Sequence, residues 1–185
     1  MKVLVISGSR NPQGQTARAA GALADGLQDA GADAERVFLP QMHIERCRQC
    51  DDAGWGLCRT EGRCVIEDDF AALVERIDGA GAVVFATPVY FGDLSESLRA
   101  LLDRLRRTCV HEAGKAKVAG TPAVGIGVAG GGGGGAPACC VSLERVLQTC
   151  GFDVVDLVPV RRQNLPAKLE VLRATGRSLA EKVSS

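Results

Sequence analysis

The chain of 185 residues carries 22 basic and 22 acidic side chains, so its formal net charge is zero. That balance excludes the broad electrostatic field that draws a protein onto nucleic acid or an anionic membrane, and the length suits one domain with a real core. With 4% aromatic residues against 23 glycines, loops that approach a small ligand closely are expected rather than stacking platforms for single strands.

Lys2 to Ile6 is a short β-branched run that stops at Ser7-Gly8-Ser9, as a fully buried parallel strand does. It is too short for a signal h-region, and no apolar run approaches the ~20 residues of a spanning helix, so a cytoplasmic protein is expected. Thr16 opens a helix in which Ala17, Ala20, Leu23, Ala24 and Leu27 recur at helical spacing and Gly31 marks the stop. Ala34 to Leu39 reads as a second strand closed by Pro40. From Gln41 to Ile66 the periodicity dissolves into cysteines, charges and glycines, which points to a functional insertion. Asp68 and Asp69 then precede Phe70, Leu73, Val74 and Ile77, a helix with acids at its positive end. The remaining elements are a strand over Ala82–Ala86, a helix over Ser95–Arg107, a strand over Ala123–Val128, a helix over Cys140–Thr149, a strand over Val154–Val160 and a helix from about Ala167. Five strands alternating with helices make a single α/β domain over residues 1–185, a parallel sheet covered on both faces. Ligands of such sheets bind beyond the carboxyl ends of the strands, so the loops after strands one, three and four carry the chemistry.

The first of these loops, Ser7 to Thr16, joins a buried strand to a helix N-terminus. It offers hydroxyls at Ser9 and Thr16, an amide at Gln15, the cation of Arg10 and free backbone N–H groups, all suited to a phosphate. The lysine of a P-loop and the spacing of a dinucleotide fingerprint are both missing, and the alternative is an ordinary capped turn. In the second loop Pro88, Val89, Tyr90, Phe91 and Gly92 put two adjacent aromatics at a strand end, either a wall for a planar ring or core. In the third, Gly130, Gly131 and Gly132 begin a run of six glycines. Backbone N–H groups there can approach a ring edge, unless the run is a mobile linker.

Taken together, the Gly-Ser loop, the Pro-Val-Tyr-Phe-Gly segment and the glycine loop resemble the NADPH-dependent FMN reductase family, in its branch near the iron-sulfur flavoproteins. The resemblance covers essentially the whole chain. It implies a flavodoxin-like three-layer sandwich with a five-stranded parallel sheet of order 2-1-3-4-5. It also implies FMN with its phosphate on the first loop and its isoalloxazine between the second and third, and a homodimer or homotetramer.

Eight cysteines are many for a reducing compartment. Cys109, Cys139, Cys140 and Cys150 fall in helical or loop patterns and read as small buried hydrophobes. Cys47, Cys50, Cys58 and Cys64 lie within eighteen residues, separated by two, seven and five positions. Four thiolates close a tetrahedral shell around zinc or serve a [4Fe-4S] cluster, and structural or redox-active thiols without metal are the third reading. Iron-sulfur flavoproteins have a more compact motif, which makes Asp51 to Leu57 an insertion. Trp55 reads as a local anchor of this segment, His43 and His111 as surface histidines, and Asp68 and Asp69 as helix N-terminal acids without acid–base chemistry. The expected function is an FMN-dependent oxidoreductase with a small-molecule electron donor, NAD(P)H, and a small-molecule acceptor. A non-catalytic electron carrier and a zinc-stabilised, flavin-free regulatory protein are the rivals.

Overall fold

The structure is a computed structural model describing residues 2–184, so the first and last residues of the expected domain lie outside the described residues. In chain order the elements are β1 (Lys2–Ser7), α1 (Gln15–Asp29), β2 (Asp33–Phe38), α2 (Leu57–Thr60), α3 (Phe70–Asp78), β3 (Ala82–Pro88), α4 (Glu96–Cys109), α5 (Glu112–Lys115), β4 (Pro122–Ala129), α6 (Ala136–Cys150), β5 (Asp153–Arg161) and α7 (Leu165–Ser184). The five strands form one parallel sheet of order β2-β1-β3-β4-β5. Val3 pairs with Ala34, Val5 with Val84, Phe85 with Gly125 and Ile126 with Val158.

Side chains alternate across each strand, which divides the core in two. Leu4, Ile6, Val83 and Phe85 face α3, α4 and α6, while Val3, Val5, Val84, Ala86, Val124 and Ile126 face α1 and α7. Because β1, β3 and β4 are buried on both faces, they read as unbroken apolar runs. The edge strands β2 and β5 keep exposed positions and a more polar sequence. Cys109, Cys139, Cys140 and Cys150 are buried in this core, and burial pushes the Cys139 thiol up to about 12 and raises the others.

Gly31 stops α1 as expected, in the left-handed region at φ +79° and with its N–H on the Gln28 carbonyl. The helix expected from Cys140 begins earlier, at Ala136, because Gly135 enters the left-handed region just before it and Pro137 fits its first turn. The expected insertion is one short helix, α2, in an otherwise irregular course between Met42 and Asp69. Among the described residues no helix is long and apolar enough to cross a membrane.

Candidate functional site

The carboxyl ends of β1, β3 and β4 open on one rim. The first loop is tied down from both sides: the Gly8 N–H donates to the Ala86 carbonyl (2.9 Å), and the Gly8 carbonyl accepts from Ser97 Oγ (3.0 Å). A Cβ at Gly8 would collide with Ser95 Oγ and stand 3.1 Å from Leu98 Cβ, so a larger residue would displace the side chain that caps α4. Asn11, which the sequence did not single out, shapes the turn. Its Oδ1 accepts the Gln13 N–H (2.9 Å), its carbonyl accepts the Gly14 N–H (3.2 Å), and its own N–H meets Ser9 Oγ (3.3 Å). Ser9 and Thr16 are buried at the base of the loop. Gly14 caps α1 without a side-chain hydrogen bond, so the first amides of the helix have no side-chain acceptor from the cap. Gln15 Oε1 is buried without a hydrogen-bond partner among the described residues. Arg10 is exposed and borders an open cavity of about 790 Å³ together with Gly8, Pro40, Tyr90, Glu96 and Ser97.

The second loop follows from β3, where the Val89 N–H donates to the Val128 carbonyl (3.0 Å). Tyr90 and Asp93 exchange two backbone hydrogen bonds of 3.0 Å around Phe91 and Gly92, at φ +51° and +81°. Two consecutive positive φ values make a primed turn. A bulky residue there is strained, and Phe91 is also fully exposed. The third loop meets the second: a Cβ on Gly135 would stand 2.7 Å from Gly92 Cα and 3.2 Å from Val89 Cγ1. Gln163 Nε2 holds the glycine run through the Gly132 carbonyl (3.1 Å). By contrast, a Cβ on Gly130, Gly131 or Gly132 would meet nothing within 4 Å. The protein's own packing does not demand glycine at these three positions, whereas a flat ligand on the backbone would. An uncapped helix end beside buried hydroxyls, opposite a side-chain-free cradle, fits a cofactor with a phosphate tail and a planar ring.

The cysteine segment packs on the second half of α4 and on α5, with Gly54 near Arg107 and Gly62 against Ala113 and Gly114. Cys47, Cys58 and Cys64 are half-buried, Cys50 is exposed, and all are free thiols. Among the described residues no three His, Cys, Asp or Glu side chains form a metal-binding group. The Cys50 thiol is raised by desolvation and then by the charges of Cys64, Cys47 and Cys58. By type, four thiols suit a thiolate-bound metal, but among the described residues they do not converge on one point.

Asp68 departs from the expectation. It is not a solvated helix-end acid but a buried one, ion-paired with Arg104, with side chains 0% and 1% exposed. Desolvation would raise its carboxyl, but the Arg104 fork and the N–H groups of Glu45 and Phe70 outweigh it and hold it below the ordinary value. Asp69 is as outward as expected and accepts the His43 N–H (2.7 Å). Trp55 anchors the segment, with the Arg107 guanidinium carbon 4.3 Å from its ring centroid and the His111 ring edge-on at 4.8 Å. His111 is thus half-buried rather than a surface histidine, while His43 is exposed.

The family model for NADPH-dependent FMN reductases matches residues 1–162. An iron-sulfur flavoprotein of Methanocaldococcus jannaschii is 32% identical over 125 residues, 68% of this chain and 62% of that protein. One from Methanosarcina thermophila is 32% identical over 104 residues, 56% of this chain and 52% of that protein. The matched part thus spans between half and two thirds of these relatives. An NAD(P)H:quinone oxidoreductase from Methanothermobacter marburgensis superposes with a TM-score of 0.72 at 22% identity, covering 97% of this chain and 96% of that one, a likeness of fold. With the sheet order, the three loops and the family match in agreement, the chain belongs to the NADPH-dependent FMN reductase family.

Proposed function

We propose that the protein is an FMN-dependent oxidoreductase that takes electrons from a small-molecule donor, NAD(P)H, and gives them to a small-molecule acceptor. The observation that carries this reading is the open cradle at Gly130 to Gly132 facing the same rim as the uncapped start of α1. Ser9, Gln15, Thr16 and the first amides of α1 hold the phosphate, and Arg10 adds a positive charge at the cavity edge. Pro88 to Gly92 flank the ring. FMN, when bound, supplies the redox chemistry, accepting electrons singly or in pairs. Backbone N–H groups of Gly130 to Gly132 face the pyrimidine edge, where preorganised donors favour developing negative charge. The touching second and third loops exclude water from that side.

Cys47, Cys50, Cys58 and Cys64 form the second part of the proposal, as the ligands of a [4Fe-4S] cluster that would supply single-electron storage. The relatives named iron-sulfur flavoproteins support it, as does the chemistry of four free thiols within eighteen residues. A homodimer or homotetramer covers the exposed Tyr90 and Phe91, and the free thiols suit a reducing cytoplasm.

The test is calorimetric titration of the apoprotein with FMN, followed by NAD(P)H oxidation with quinones or free flavin as acceptor. Tight one-to-one binding and steady turnover are expected. No binding overturns the reading, and binding without turnover makes the protein an electron carrier. Anaerobically prepared protein should hold about four iron and four sulfide per chain; a flavin-only spectrum without iron removes the cluster.

A further inference from the structure

One buried side chain closes the base of the cysteine loop. Arg104 lies in the middle of α4 on the core side, and its Nη1 donates to Asp68 Oδ2 (2.6 Å) and to the Glu45 carbonyl (3.0 Å). Its Nη2 donates to Asp68 Oδ1 (2.9 Å) and reaches the Ile66 carbonyl at 3.5 Å, and the Phe70 ring centroid lies 4.1 Å from the guanidinium carbon. Glu45 stands two residues before Cys47 and Ile66 two residues after Cys64. The same guanidinium therefore ties together both ends of the cysteine-bearing loop. Asp68 reinforces the closure, because its Oδ2 also accepts the Glu45 N–H (2.8 Å).

One donor is left over. Arg104 Nε is buried with no hydrogen-bond partner among the described residues, and an unpaired buried N–H is unfavourable. Cys64 stands two positions before the Ile66 carbonyl that this guanidinium reaches, and packs against the core cluster that holds Phe70, the ring under the guanidinium. The helix that carries Arg104 also reaches the other site, since Ser97 holds the Gly8 carbonyl roughly 10 Å away along the axis.

We propose that Arg104 is the positioning residue of the cysteine centre: fixed by Asp68, it closes the loop at Glu45 and Ile66 and offers its remaining N–H and its positive charge to the sulfur of Cys64. Thiolate ligands of a metal concentrate negative charge and accept hydrogen bonds, and such outer partners orient the ligands and set their affinity. Through α4 the same residue fixes the cysteine loop relative to the first loop of the rim. The inference rests on the metal-centre reading of the four cysteines, and the experiment separates the two.

The metal-free full chain, kept anaerobic, is titrated with Co²⁺ as wild type, as Arg104→Lys, and as the double variant Arg104→Met/Asp68→Leu. The double variant removes both charges so that no lone carboxylate is left buried. FMN binding serves as the control for folding and is expected to be unchanged. Cobalt affinity is expected to fall about 10- to 100-fold in both variants. At saturating cobalt the sulfur-to-cobalt charge-transfer bands are expected to weaken, which a loss of general stability alone would not produce. In the metal-free chain, alkylation of Cys64 by iodoacetamide, read by mass spectrometry relative to Cys58, is expected to slow in the double variant, because the thiolate loses the N–H and the positive charge that stabilise it. Wild-type affinity, wild-type bands and an unchanged Cys64 to Cys58 ratio in both variants overturn the proposal. If the wild-type chain takes up no cobalt, the metal-centre reading fails, and the alkylation ratio alone decides for or against Arg104.

Discussion

The rim of the sheet and the cysteine loop are held by different kinds of interaction. At the rim the framework is backbone contact at strand ends, Gly8 to Ala86, Val89 to Val128, Tyr90 to Asp93 and the close approach of Gly135 to Gly92, to which Ser97 and Gln163 add single side-chain bonds. These form as a consequence of the sheet. The cysteine loop contains only the four residues of α2 as regular structure and depends on side chains, with Arg104 and Asp68 at its base and Trp55 against Arg107 and His111 near its tip. A site made of backbone is damaged by adding atoms, whereas a loop held by a charge pair is damaged by removing them.

The largest effect should come from Asp68→Ala. It leaves the Arg104 guanidinium buried without its carboxylate, which costs about 3–5 kcal/mol, a large share of the total stability of a domain this size. Urea unfolding measures it, and FMN affinity of the folded protein should stay at the wild-type value. A loss under about 1 kcal/mol would mean that the loop is held by something other than this pair. At the rim the complementary change is Gly131→Val. Its side chain enters open space, so stability should change by less than about 0.5 kcal/mol, while FMN affinity should fall about 100-fold, or ~2.7 kcal/mol. Unchanged FMN affinity would move the ring away from the glycine loop.

The same contrast decides what could be read from the sequence. The strands were legible because β1, β3 and β4 are buried on both faces and announce themselves as apolar runs, and the rim loops because glycine and proline mark backbone that must turn or lie close. The start of α6 was obscured because a glycine run carries no periodicity until Ala136. The Asp68–Arg104 pair was not legible at all: the partners stand 36 positions apart, and an acid ahead of a helix looks the same whether it faces solvent or a buried cation. A second acid beside it and an arginine on the apolar side of α4 were the only signals.

Acid should separate the two regions in a wild-type chain. Desolvation opposes the charge on Asp68, yet Arg104 and two backbone donors hold its carboxyl below the ordinary value. Its contribution is therefore fully present above the unfolded value of about 3.9 and is lost as pH falls through the depressed folded value. Trp55 is the only tryptophan and sits in the cysteine loop, so its fluorescence reports the loop. That signal should change below about pH 4, before the far-ultraviolet circular dichroism of the sheet does. Coincident changes would mean that the loop and the sheet unfold as one unit.

The smallest effect is the most discriminating, because it concerns a residue that the fold alone does not favour. Phe91 occupies the first central position of a primed turn at φ +51°, next to Gly92, with its ring wholly in solvent. Asparagine is the residue such a turn prefers before glycine, so Phe91→Asn should stabilise the protein by about 1 kcal/mol, read as a higher urea midpoint. A strained, exposed aromatic is retained only if its ring meets something beyond its own chain's core. If that partner is the flavin, the variant should bind FMN about tenfold more weakly, or ~1.4 kcal/mol, at unchanged oligomeric state. If it is a second copy, FMN affinity should hold and sedimentation should show a shift towards monomer. A variant that is more stable and otherwise identical to wild type would remove Phe91 from the site and leave Tyr90 as the only aromatic wall of the rim.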